Sequence, residues 1–264
     1  MKRSTSILSH LWFKTPQGHI PTIAQARYPP SSAPHLPYPL STLHLPSPPI
    51  PDARYISQRA ANAIISEVGP YRISTDALQS INSFLDEFLM QLVNTALSLD
   101  LSRIKTAVNQ LLPSALGKNA IVEAELEVKT FTESGEKVDY AVYEKMRRLG
   151  TGQDAFPTDR VFSQFREKCM FYCTLADKEA IGSNRQPPVD GDRDVVISPI
   201  VAIYVTAVVE HIAEYLLTLI AKAAEHEDTE FVRVKEVFTA LIDDSQVGRV
   251  FYKMELREKL EVSP

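Results

Sequence analysis

The stretch Ser198–Phe251, SPIVAIYVTAVVEHIAEYLLTLIAKAAEHEDTEFVRVKEVFTALIDDSQVGRVF, decides the fold. Apolar residues at Ile200, Ile203, Ala207, Val208, Ile212, Leu216, Leu219 and Ala223 recur every three to four positions, the period of an amphipathic helix. From Pro199 to Ala224 such a helix runs about 39 Å at roughly 1.5 Å per residue. A polar link follows, and then a second, short helix. A helix of that length has to be covered along its whole stripe, so the rest of the chain must supply the cover.

The chain has 264 residues, enough for one or two domains and a sizeable core. Its formal charge of -5 argues against a sequence-independent DNA binder, which normally carries a strong positive excess. Cys169 and Cys173 are four apart and share a helix face, but no neighbouring Cys or His cluster completes a metal site. They are expected to be buried core thiols in a reducing compartment. Glu210, His211 and Glu214 interrupt the most apolar stretch, so no transmembrane span is expected, and no apolar segment after the basic start reads as a secretory signal. Signatures of a P-loop, a nucleophile elbow or a zinc protease are missing, and His211 and His226 stand alone, with His211 read as a half-buried interface residue. The expectation is a non-enzyme with no cofactor.

Residues 1–51 contain no Asp or Glu and are rich in Pro and Ser. Proline fixes φ and removes donors, so YPPSSAPHLPYPLSTLHLPSPPIP (28–51) forms neither a regular helix nor a central strand, and a disordered arm is expected. The basic, acid-free start also has the character of an organelle transit peptide, and the Pro-rich part that of a ligand for aromatic-lined grooves. Order begins near Asp52. Helices are expected over Tyr55–Val68, Asp76–Leu97, Leu101–Leu112 and Ser114–Phe131, with Ser74, Thr75 and Asp76 as N-cap candidates for the second. Leu78, Ile81, Leu85, Phe88, Leu89, Leu92 and Ala96 form its stripe.

This succession of short, long and short helices is the pattern of a histone fold, and the text carries the likeness further. INSFLDEF (81–88) and RIKTAVNQLLPSALGKNAIVEAELEVKTFTES (103–134) resemble the long helix, third helix, turn and C-terminal helix of a 2B-type core histone. FPTDRV (156–161) and VFSQFREKCMFY resemble the start of a 2A-type histone. The opening stretch, with Tyr204, Ala207, Val208 and Glu210, resembles that histone's long helix, and VKEVFTALIDD its third. The resemblance implies an all-α chain of two histone folds paired head to tail as an intramolecular pseudodimer behind a disordered Pro-rich arm. Its parts would be the arm 1–51, a 2B-like fold 52–134, a linker 135–154 and a 2A-like fold 155–264. Ile81, Leu85, Phe88 and Leu92 would pair with Val208, Ile212, Leu216 and Leu219, giving a monomer.

The resemblance also locates where function would lie. Histone DNA contact needs Arg and Lys at paired loops and helix starts. Arg160 and Arg166, and less strongly Arg103 and Lys105, are the candidates, while the link HEDTEFVRV puts Glu227, Asp228 and Glu230 where a histone is basic. Of the acidic patch on which histone partners dock, Glu210, Asp243 and Asp244 remain; its other positions read Tyr215, Thr218, Ser245 and Gln246. The insertion 179–196, polar with Pro and Gly, reads as an exposed loop. The expected function is a non-enzymatic protein-interaction scaffold in the nucleus, associated with chromatin or transcription, with protein partners and weak DNA contact at most. The alternative is a cytoplasmic or membrane-associated signalling scaffold that recognises proteins or anionic lipid.

Overall fold

A computed structural model describes residues 53–134, 139–149, 155–177 and 195–262. The arm 1–51, both ends of the linker and nearly all of the insertion 179–196 lie outside the described residues, as do the expectations placed on them. The protein is mostly helical. Its elements run α1 (Gln58–Ile65), strand β1 (Arg72–Ile73), α2 (Thr75–Ala96), α3 (Leu101–Leu111), α4 (Ala115–Glu133), α5 (Tyr140–Arg147), α6 (Thr158–Tyr172), α7 (Pro199–His226), strand β2 (Phe231–Val232), α8 (Val234–Asp243), α9 (Gly248–Phe251) and α10 (Glu255–Glu261).

Local chemistry sets most of the boundaries. Side chains at Ser57, Ser74 and Asp100 accept hydrogen bonds from the backbone N–H groups of Ala60 (3.2 Å), Ala77 (3.2 Å) and Ser102 (2.8 Å), starting α1, α2 and α3. The first helix is therefore shorter than its apolar pattern suggests. Tyr55 and Ile56 are buried outside it, where the Tyr55 hydroxyl donates to Asp86 Oδ1 (2.6 Å) and the Ile56 N–H to Asn82 Oδ1 (2.9 Å). Between α3 and α4 the backbone turns so tightly that a Cβ on Gly117 would lie 2.0 Å from the Leu112 carbonyl oxygen, so only glycine fits there.

Elements from the N-terminal and C-terminal parts of the described body pack against one another. α1 lies against α7, α6 against α2, and α8 against α2, while α4 runs along α7. α2 and α7 themselves meet, and Ile81, Leu85, Phe88, Leu92, Val208, Ile212 and Leu216 are all buried in one core, with Leu219 half-buried at its margin. In its first half α7 is enclosed almost all round, from Val201 and Ala202 through Tyr204–Val209. By length and composition α7 could cross a membrane, contrary to the sequence expectation, but 67% of its apolar window is buried inside the protein. It is the core helix of a folded body. β1 and β2 pair in parallel, Arg72 opposite Phe231 and Ile73 opposite Val232, joining the segment before α2 to the segment after α7.

Besides the two strands, three helices were not expected. α5 gives the linker a helix whose Met146 is buried and accepts a hydrogen bond from the Ser198 N–H (3.3 Å). α9 and α10 fold the C-terminal segment back: Phe251 packs its ring near Phe84 of α2 (6.2 Å) and Phe238 of α8 (6.1 Å). Cys169 and Cys173 are free and buried, and burial pushes the Cys169 thiol up to about 12.

Candidate functional site

A cleft of about 320 Å³ opens where the start of α4, the middle of α7 and the turn after α8 converge. α7 supplies His211, Glu214, Tyr215 and Thr218, spaced three to four apart and so on one helix face; α4 supplies Ala115, Leu116 and Asn119; the turn supplies Gln246. One side of the cleft is a closed hydrogen-bond clasp. Gln246 Oε1 accepts from Ser114 Oγ (3.1 Å) and the Leu116 N–H (2.9 Å), and its Nε2 donates to the Tyr215 hydroxyl (3.0 Å). That hydroxyl donates to Asp244 Oδ2 (2.6 Å), while Asp244 Oδ1 accepts from the N–H groups of Gln246 (2.8 Å) and Val247 (2.9 Å). Every member has a partner, and burial pushes the Tyr215 phenol up to about 12.

The other side is unsatisfied. His211 and Glu214 are half-buried, and neither side chain makes a hydrogen bond or ion pair among the described residues. Burial lowers the His211 imidazole below its ordinary value. Burial, followed by the carboxylates of Glu210, Glu123 and Glu67, raises the Glu214 carboxyl. A half-desolvated carboxylate among like charges gains most from a cation placed beside it.

This rearranges the docking residues expected from the sequence. Glu210 is occupied, accepting from the Thr174 N–H and from Thr174 Oγ1 (2.8 Å). Asp244 is occupied by the clasp, and of the three only Asp243 is exposed and outside such bonding. Neither Glu210 nor Asp244 therefore has a free carboxylate to offer a partner. Glu214, which the sequence reading passed over, is the free carboxylate of the cleft; its position three residues after His211 and four before Thr218 was the available signal.

The DNA-contact candidates also separate. Arg166 is a correction: its side chain is 8% exposed and its Nε donates to Asp86 Oδ1 (2.8 Å), so it ties α6 to α2 and cannot reach a phosphate. Arg160 is exposed on the first turn of α6, and Arg103 is exposed on α3. Lys105 is bridged to Glu125 across α3 and α4. The structure adds two cations that the sequence reading missed. Arg72 and Phe231 face outward as a register pair on the strands, and Arg233 is exposed just beyond, where it caps α8 and its N–H donates to Glu236 Oε2 (2.7 Å). At the α2–α3 loop α5 contributes an ion pair, Arg147 Nε lying 2.5 Å from Asp100 Oδ2, while Leu97 of the same loop stays exposed.

No protein-family model matches the chain, and no curated protein matches it.

Proposed function

We propose that the chain is a fused histone-type pair, an intramolecular pseudodimer that works as a non-enzymatic protein-interaction scaffold in chromatin or transcription, with weak or no DNA binding. The sequence resemblance over both halves supports the pairing. So do the reciprocal cover of α2 and α7 and the strand pair that joins the loop before one long helix to the loop after the other. The observation that carries the docking role is the cleft with Glu214 and His211 unpaired at its open side. A cationic side chain of a partner is the ligand that arrangement takes.

The test uses a fluorescein-labelled peptide with one central arginine between glycines and serines, titrated by anisotropy. Glu214→Gln should weaken binding by about three- to tenfold, the range of one partly buried charge pair, and Lys222→Glu should leave it unchanged. Equal binding by the Glu214→Gln protein would remove the docking role. Sizing checks the pairing: the full chain should run as a monomer near its 29.5 kDa, and residues 52–135 alone should aggregate. The acidic turn Glu227–Glu230 beside Arg233 favours the second reading, a cytoplasmic scaffold without DNA contact. The compartment of a tagged protein separates the two.

A further inference from the structure

The junction of α9 and α10 presents a small basic surface built around one exposed ring. Tyr252 is 55% exposed, and Arg249 and Lys253 are exposed beside it. The turn is helical, with the Tyr252 N–H bonded to the Gly248 carbonyl (2.9 Å) and the Lys253 N–H to that of Val250 (3.0 Å). Arg249 therefore lies three and four residues from Tyr252 and Lys253, on one face. Arg257 approaches from α10, its guanidinium carbon 5.5 Å from the ring centroid, and it also holds Glu261 (3.4 Å). The Arg249 and Lys253 side chains make no hydrogen bond or ion pair among the described residues. Two cations are thus free, and a third is stacked on the ring between them and the carboxylates of α10.

The inward side fixes this surface in place. Val250, Phe251, Leu256 and Leu260 are buried, and the Leu256 N–H donates to Glu87 Oε1 of α2 (2.9 Å). A preorganised surface loses little side-chain and backbone freedom when a ligand arrives.

The charge around the surface selects the ligand. Residues 1–51 hold four of the 28 basic residues and none of the 33 acidic ones, so residues 52–264 carry 24 against 33, a formal charge of -9. Exposed Glu255 and Glu258 bound the surface on α10. A duplex or a membrane plane extends well past one Debye length, about 8 Å at physiological salt, and would meet that negative surround. A short acidic segment fits within the basic area and can lay an aliphatic side chain across the ring.

We propose that Arg249, Tyr252, Lys253 and Arg257 form a docking surface for a short acidic peptide segment of a partner protein, its carboxylates on Arg249 and Lys253. This stands on the folded helical body and not on the histone-type reading, so either can fail alone. The test is anisotropy of the full chain with the labelled octapeptide Glu-Glu-Leu-Glu-Glu-Leu-Glu-Glu at physiological salt. A twenty-nucleotide oligothymidylate and phosphatidylserine vesicles are measured in parallel. Saturable peptide binding should fall at least about tenfold in the Arg249→Glu/Lys253→Glu protein and stay unchanged in Arg59→Glu, an exposed position on α1. Arg249→Ala and Lys253→Ala should each give an intermediate loss, and thermal melting shows which variants remain folded. No saturable peptide binding by the unaltered protein, equal binding by the reversed variant, or tighter binding of the oligonucleotide or the vesicles would each overturn the proposal.

Discussion

Replacing Arg166 with methionine keeps most of the side-chain volume and removes the charge that faces Asp86. Asp86 Oδ1 accepts from Arg166 Nε (2.8 Å) and from the Tyr55 hydroxyl (2.6 Å), and the two ionised side chains are 8% and 23% exposed. Removing one partner of a fully buried pair costs roughly 3–5 kcal/mol, because the other charge is left without compensation. Asp86 keeps some solvent and the Tyr55 hydroxyl, which places the loss near the low end, about 3 kcal/mol. For a body of this size 1 kcal/mol moves the melting midpoint by about 2–4 °C, so Arg166→Met should melt about 6–12 °C lower. Circular dichroism at a helical wavelength reads this directly. The double variant Asp86→Asn/Arg166→Met should recover more than half the loss, since a neutral amide still accepts from Tyr55 and strands no charge. Any duplex affinity should keep its salt dependence. A midpoint within about 2 °C of the unaltered protein, with a shallower salt slope, would refute the reasoning and return Arg166 to the surface.

Three further outcomes follow from the same geometry. Gln246→Ala strands the Leu116 N–H and opens the clasp, so it should cost about 1–3 kcal/mol in urea unfolding and speed amide exchange at Leu116. Tyr204 has a buried hydroxyl with no hydrogen-bond partner among the described residues, so Tyr204→Phe should raise stability by about 1 kcal/mol, read as a higher urea midpoint. Glu214 is raised above its ordinary 4.5, so the cost of its charge is present above the folded value and vanishes as pH falls below the unfolded one. Glu214→Gln should therefore melt higher than the unaltered protein at pH 7, with the gap closing towards pH 4; His211, lowered by burial, acts in the opposite sense below 6.5 and is separated by His211→Gln.

Helices with a long periodic stripe could be read from the sequence almost to the residue. α2 was expected over Asp76–Leu97 and spans Thr75–Ala96; α7 was expected from Pro199 and starts there. Their stripes are long, and capping or proline chemistry marks their starts. α5, α9 and α10 have four to eight residues each, too few to show a period, and they hold their shape through tertiary contacts such as Met146 on Ser198 and Phe251 on Phe84. The site was less legible for the same reason. Asp86 and Arg166 are 80 residues apart, and Gln246 meets Leu116 across 130. A local pattern shows that Arg166 is a cation and Asp244 an anion, but not that each is already occupied.

Under the pairing proposed above, the linker helix α5 bears on any nucleic-acid contact. A pair that grips a duplex needs cations at both of its loop ends, and here the two ends differ. At the strand pair Arg72 and Arg233 are exposed, although Lys235 beside them is drawn to Glu227 (3.6 Å). At the α2–α3 loop the linker helix α5 takes the position instead, with Arg147 on Asp100 and Met146 against the start of α7. The linker helix thus ties down the acid at one of the two ends, Asp100. Counting Arg72, Arg233, Arg160 and Arg103, at most four phosphates can be neutralised, so log K against log salt should be no steeper than about −4, at roughly 0.9 per phosphate. Arg72→Ala/Arg233→Ala should take away about half of that slope. A slope near −6, or one unaffected by these substitutions, would mean that cations elsewhere on the body carry the contact.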